Sequence, residues 1–321
     1  MENVRIGIVG LGMGRSRARD VAETAGIVVE AVCDIDRERT DEAAAEHGCT
    51  GYCEFDEMLE HKGLEAVYVL TPSGMHLETV EKAAQAGKHV IVTKPMEITA
   101  ERSQRMIDIC RDAGVSLIVD FRRRYTPRLQ QWKAAIDAGE FGDIVYAEAR
   151  CKWWRSPAYY EGWHGTWALD GGGSLMNQGI HVLDQLLWLC GDCEVVAAQS
   201  GAAAHDIETE DFTSVLLTLG NGNPALVTTT TNCHFNDEFG VCVSGTKGSG
   251  SDISGDARFA FEENGHEDLE TPVPDLPAHA AADMVRVLRK GTDPYVPGEE
   301  GIRSVRIIEE IYRKAGIRGK R

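Results

Sequence analysis

The run Val4-Arg5-Ile6-Gly7-Ile8-Val9-Gly10-Leu11-Gly12-Met13-Gly14-Arg15 leaves few folds open to the chain. A strand pattern runs without a spacer into alternating glycines, and a helical pattern over Gly14–Ala25 follows. A chain that turns from strand to helix this abruptly needs glycine where the backbone bends sharply and where it must approach a pyrophosphate. The helix start then offers unpaired N–H groups and the positive end of its dipole to the phosphates. Gly10 and Gly12 fill the first two places of a GxGxxG pattern, and Arg15 stands at the third. Gly14, one residue early, is expected to make the close helix–strand contact, and Met13 and Arg15 to border the same ligand. Asp34 ends the second strand pattern, 22 residues after Gly12. A carboxylate there accepts from ribose hydroxyls and repels a 2′-phosphate, which predicts NAD(H) over NADP(H). The competing reading is that Asp34 only caps the helix beginning near Asp36.

Short apolar runs alternate with helical patterns through residue 121. Strands are expected at Val4–Val9, Val28–Cys33, Ala66–Leu70, His89–Val92 and Val115–Phe121. Helices are expected at Gly14–Ala25, Asp36–His47, His76–Ala86 and Ala100–Ala113, with Gly87 and Gly114 closing two of them. The alternation predicts a parallel α/β sheet, hence a Rossmann domain over residues 1–121. A different texture begins after Pro127. Helix Arg128–Ala138, strand Ile144–Cys151, an aromatic loop and helix Ser174–Leu189 are expected in turn. Strands follow from Glu194 to Phe261, including Phe212–Leu219, Ala225–Thr231 and Phe239–Ser244, in an antiparallel arrangement. The helices Ala278–Lys290 and Glu299–Ala315 end a second domain assigned to residues 122–321, with a return of the last helix to the first domain left open.

Composition narrows the classes of partner. A hydrophobic fraction of 43% with 26% charged residues suits a globular chain. The net charge of −18 argues against nucleic acid or an anionic membrane as partner. No apolar run reaches transmembrane length, and the N-terminus lacks a signal-peptide pattern. Nine cysteines without a disulfide framework suit a reducing cytoplasm. Cys190-Gly191-Asp192-Cys193 is read as a helix end and turn, because no second pair or histidine cluster accompanies it; no metal is expected. Arg122-Arg123-Arg124 is a basic cluster expected near a domain hinge.

Thr71-Pro72-Ser73-Gly74-Met75-His76, then Ala86-Gly87-Lys88-His89-Val90-Ile91-Val92-Thr93-Lys94-Pro95, resemble the TPxxxH turn and AGKHV…EKP strand of the Gfo/Idh/MocA oxidoreductase family. Gly171-Gly172-Gly173-Ser174-Leu175-Met176-Asn177-Gln178-Gly179-Ile180-His181 is similar to that family's GGGxLxDxGxH helix, and Glu299–Tyr312 to its terminal helix. The resemblance covers nearly the whole chain. It implies a Rossmann domain followed by an α/β domain with an open, mostly antiparallel sheet. It also implies reversible hydride transfer between a carbinol carbon and nicotinamide. The stretch from Ser156 to His181 looks most like the branch containing nucleotide-sugar 3-dehydrogenases that act on UDP-N-acetylglucosaminuronate.

Oxidation of an alcohol sends a hydride to the cofactor and a proton to the protein. His181 suits the proton, since imidazole titrates at about 6.5. Asn177 lies one turn earlier on the same helix face, and Asp184 is placed to orient the ring. Lys94 follows the fifth strand, where carboxyl ends border the ligand crevice, and its ammonium suits a developing oxyanion. The family assigns Lys and His to these places. Two residues depart from its pattern: Thr93 stands for the glutamate before the lysine, and Asn177 for an aspartate. Thr71, Pro72, His76 and Thr93 are expected beside the cofactor. A substrate collar is expected from Trp153, Trp154, Tyr159, Tyr160, Trp163 and Trp167 with Arg122, Arg155, His164, Thr166, Asn177 and His181, the aromatics stacking on sugar or base and the cations and hydroxyls binding a carboxylate or phosphate. The branch usually has arginine where His164 stands.

The expected function is an NAD(H)-dependent sugar, nucleotide-sugar or polyol dehydrogenase, with a homodimer or homotetramer as its assembly. The alternatives are a glycosidase using tightly held NAD for transient sugar oxidation, and a non-catalytic sensor of dinucleotide or sugar.

Overall fold

The computed structural model describes residues 2–12, 14–261 and 268–317, with residues 14–16 as backbone only. The chain forms two compact units: residues 1–122 with 277–302, and residues 123–276 with 303–321. The second unit therefore does not take the whole of 122–321, because the stretch from Pro277 to Ile302 packs with the first.

The first unit holds strands β1 (Val4–Val9), β2 (Ile27–Cys33), β3 (Thr50–Tyr52), β4 (Ala66–Val69), β5 (His89–Thr93) and β6 (Leu117–Asp120). They form one sheet in the order β3-β2-β1-β4-β5-β6, all pairs parallel. Parallel sheets are covered on both faces, so their strands read as continuous apolar runs; all four residues of β4 are buried. The helices are α1 (Gly14–Ala22), α2 (Arg37–His47), α3 (Phe55–Leu59), α4 (His76–Gln85) and α5 (Ala100–Asp112). Asp36 starts α2 by accepting from the N–H groups of Glu38 and Arg39, and Gly48 ends it at φ 63°. Strand order reverses between β1 and β4, and ligands of such sheets bind beyond the carboxyl ends at that reversal. The edge strand β3 and the short helix α3 were not expected. Each is too brief to show a period.

The second unit begins with α6 (Pro127–Asp137) and β7 (Ile144–Lys152), and continues through α7 (Ile180–Cys190). Strands β8 (Cys193–Gly201), β9 (Phe212–Leu219), β10 (Pro224–Thr230), β11 (Glu238–Gly245), β12 (Gly248–Ser251) and β13 (Arg258–Phe261) complete a seven-stranded sheet ordered β13-β12-β11-β7-β10-β9-β8. Only β7 and β10 pair in parallel, so the sheet is mixed and mostly antiparallel. One face buries Ala147, Ala149, Cys151, Val227 and Val243, and α7 packs on β7 and β11. Val196 and Leu216, one residue out of phase with the buried Val195, Val215 and Leu217, are exposed, as is Val145 near the start of β7. The single helix expected over Ser174–Leu189 is two pieces: Ser174–Gly179 is π-helical, and α-helical bonding starts at Ile180.

The chain then returns to the first unit with α8 (Ala280–Lys290). Val119 N–H donates to Val296 at 2.9 Å, extending the sheet beyond β6. The last helix, α9 (Gly298–Ala315), contains the boundary between the units, after Ile302.

Candidate active site

The crevice of the first unit is built where β1, β4 and β5 end. Gly10 has φ 93°, and a Cβ there would lie 2.6 Å from the carbonyl of Leu70. Only glycine lets the turn after β1 sit this close to the end of β4. Asp34 supports the same turn from beneath: its Oδ2 accepts the Leu11 N–H at 2.6 Å, and its Oδ1 the Asp36 N–H at 2.9 Å. Asp34 is thus a brace of the glycine turn, and the α2 cap is Asp36. Gly12 is exposed beside Arg39. Met13 lies outside the described residues, as does the side chain of Arg15.

Thr71 and Pro72 follow β4, and Lys94 follows β5; all three are half-buried. Thr71 Oγ1 is buried and has no partner. A hydroxyl beside a glycine turn that only a Cβ-less residue can make is the setting a dinucleotide's phosphates and riboses require, so the residues present fit that group. His76 has no exposed surface. Its Nε2 lies 2.9 Å from the Thr71 carbonyl, and its Nδ1 lies 3.1 Å from those of Pro95 and Met96. Burial lowers the imidazole's pKa, so the ring is neutral and its single N–H serves one side at a time. His76, expected to touch the cofactor, instead ties the turn after β4 to the segment after Lys94. Thr93 ends β5 opposite Asp120. Arg122, expected in the substrate collar, is exposed and pairs with Asp20 of α1.

In the second unit the glycine run leads into the π turn. A Cβ on Gly173 would overlap the carbonyl oxygen and carboxylate of Glu210. Glu210 is fully buried; its Oε1 accepts from Leu175 N–H and Tyr312 Oη, both at 2.8 Å. Burial pushes its pKa up to about 8, so it holds the turn as a neutral acid at pH 7. Ser174 Oγ, 3.0 Å from Thr229 Oγ1, fastens the turn to β10. Asn177 lies in this turn, and His181 follows as the second residue of α7, half-buried with its ring edge-on to Phe239 at 6.3 Å. Asp184 lends its carboxylate to the Arg124 guanidinium, in bonds of 2.8 and 2.9 Å.

The collar residues mostly meet each other. Trp153 stacks on Phe239 at 4.7 Å, Trp167 meets Tyr312 edge-on, and the Arg155 guanidinium lies over Trp153 and Tyr159. The Tyr160 hydroxyl donates to Thr231 at 2.8 Å, and that of Thr166 to the Trp163 carbonyl at 2.7 Å. His164 sits between Tyr159, stacked at 4.2 Å, and Trp163, at 3.8 Å. Tyr160, His164 and Thr166 nevertheless line one cavity of about 360 Å³ with Gly162, Gly165, Asp206, Ile207 and Glu208. Sequence reasoning missed Asp170 and Glu210, the carboxyls that hold this region. The only signal for the first was its place just before the glycine run. Cys190 and Cys193 are thiols held near pKa 12 and 11 by burial, which suits the structural reading of that pair.

A parallel sheet with its glycine turn and acidic brace at the strand-order reversal, joined to a domain with a mixed sheet, defines a dinucleotide-dependent oxidoreductase of two domains. Residues 4–121 match the NAD-binding Rossmann fold of the Gfo/Idh/MocA oxidoreductases, and residues 129–251 the C-terminal domain of the same family. The chain belongs to the Gfo/Idh/MocA family. The rhizopine catabolism protein MocA of Rhizobium meliloti is 28% identical over 271 residues, 83% of this chain and 81% of that protein. A D-xylose 1-dehydrogenase (NADP+) of Haloarcula marismortui is 26% identical over 333 residues, 96% of this chain and 90% of that one. The WlbA dehydrogenase of Bordetella pertussis, solved with NADH and UDP-GlcNAcA, superposes with a TM-score of 0.87 at 29% identity, covering 98% of this chain and 96% of that one. Among the described residues no helix is long and apolar enough to cross a membrane.

Proposed function

We propose that the chain is an NAD(H)-dependent dehydrogenase acting on a secondary alcohol of a sugar, nucleotide-sugar or polyol. The observation that carries this reading is Lys94 at the carboxyl end of β5, in the sheet whose neighbouring strand ends form the glycine turn. Bound nicotinamide supplies the hydride acceptor. The N–H groups at the start of α1 bind phosphate, and Gly10 and Gly12 let the backbone approach it. The Lys94 ammonium donates to the reacting oxygen, and His181 takes its proton. His76 fixes the loop on which Lys94 stands. The D-xylose dehydrogenase and the WlbA complex support a sugar as substrate. The test is purified protein with NAD and a panel of sugars, inositols and UDP-sugars, followed at the NADH absorbance band. Binding of NADH without oxidation of any panel member would defeat the proposal.

Asp34 sets the cofactor preference. Asp34→Ala removes both the carboxylate that excludes a 2′-phosphate and the brace under Leu11. It is expected to narrow the ratio of NAD to NADP efficiency about tenfold or more, and to raise the KM for NAD as well. An unchanged ratio refutes the ribose contact; an unchanged KM refutes the brace.

The exposed face of the second sheet, with Val196 and Leu216, pairs with a second copy in a homodimer or homotetramer. Sedimentation is expected to give at least twice the chain mass of 35.1 kDa, and a monomer at micromolar concentration contradicts it.

A further inference from the structure

Asp170 holds a carboxylate that none of the steps above uses. It is 1% exposed. Its Oδ1 accepts from Asn177 Nδ2 at 2.6 Å, and its Oδ2 accepts the Gly165 N–H at 2.9 Å and lies 3.6 Å from His164 Nδ1. Asn177 Nδ2 is also 3.3 Å from His164 Nδ1. A carboxylate only accepts, so the Asn177 amide must turn its nitrogen to Asp170. The second hydrogen of that amide then faces His164 Nδ1. Nδ1 becomes an acceptor, and the proton of the neutral ring resides on Nε2. When the ring takes up a second proton, the new N–H appears at Nδ1, facing Asp170. Nε2 keeps its hydrogen in both states.

Nδ1 is turned into the core by these contacts, which leaves Nε2 for the cavity wall that His164 forms. Stacking on Tyr159, with the Trp163 ring tilted against it at 3.8 Å, fixes the plane of the ring. The other charged or titratable groups on the cavity wall are Tyr160 and the exposed carboxylates of Asp206 and Glu208. The latter two are acceptors and repel an anion. We propose that Asp170 is a positioning residue: by ordering Asn177 and Gly165 it locks His164 as a permanent Nε2–H donor to an uncharged oxygen of the substrate. This inference rests on the proposed function for its substrate, and it names the part bound there as a neutral, hydroxyl-bearing group. It also gives Asn177 a task that an aspartate at that place would not perform, since two carboxylates would repel each other.

Two measurements test it. ¹⁵N NMR of histidine-labelled protein at pH 8, with His164 identified by its loss in His164→Gln, reads the tautomer without substrate or turnover. The Nε2–H form is expected in the native protein and a mixture in Asp170→Asn; Nδ1–H in the native protein overturns the proposal. Because this reading needs no activity, its failure is distinct from a failure of the dehydrogenase assignment, which shows as absence of turnover throughout the panel. In kinetics, Asp170→Asn is expected to raise KM about tenfold with little change in kcat. An unchanged KM, or a loss confined to kcat, overturns it. Should Asp170→Asn not fold, His164→Gln, which restores an N–H donor, is expected to stay close to the native KM while His164→Leu rises about tenfold. Equal losses in the two overturn the proposal.

Discussion

Replacing His181 by alanine is expected to lower kcat between about 10²- and 10⁴-fold while leaving the dissociation constant for NADH near its native value. The range is that of a positioned general base. His181 stands on α7 in the second unit, whereas the residues assigned to the nucleotide, the glycine turn, Asp34 and Thr71, belong to the first. Lys94→Ala is expected to cost a similar factor. If both groups act on one reacting oxygen, the double variant should be little worse than either single one, because the two losses are then not additive. Steady-state rates on the best panel sugar, with fluorescence titration of NADH, measure all of this. A His181→Ala enzyme at the native rate would remove that residue from the chemistry. Two additive losses would place Lys94 and His181 on separate steps.

Gly173→Ala is expected to destabilise the second unit by about 3 kcal/mol or more. The new methyl would overlap Glu210, and Glu210 cannot step aside. Its carbonyl accepts the Ser174 N–H at 2.9 Å, and its carboxyl is bonded to Leu175 and Tyr312. Relief therefore requires the π turn to leave β10, carrying Asn177 with it. For a domain of this size a loss of 3 kcal/mol is a drop in Tm of roughly 6–12 °C, accompanied by weaker substrate binding. A melting temperature within 2 °C of native would show that the turn yields cheaply.

The parts visible in the sequence were those with a period or a stereochemical necessity. The continuous apolar runs of β1, β2, β4 and β5, the Gly10 turn and the end at Asp34 came through, because a buried parallel sheet and a tight strand–helix turn tolerate few alternatives. The π-helical start of the Ser174–Leu189 segment did not. Its bonding is decided by Glu210, Thr229 and Tyr312, which are distant in the chain and carry no local signature. Asp34 and His76 show the same limit within a correct frame. Their motifs marked the right corner of the sheet, yet two backbone N–H groups hold the first and three carbonyls surround the second. The aromatic loop read as a ligand collar, and much of it is spent on ring-on-ring packing, which residue type alone does not distinguish from sugar stacking.

The return of residues 277–302 to the first unit has a bearing on synthesis. A ribosome delivers all six strands of the parallel sheet early, but α8 and the segment beside β6 emerge only after the whole second sheet has been made. The nucleotide-binding half cannot finish folding while it is nascent, contrary to the usual N-to-C succession of domains. A gene cut after residue 122 would encode a sheet with one flank bare, so swapping this module between relatives requires two crossover points, the second inside the final helix.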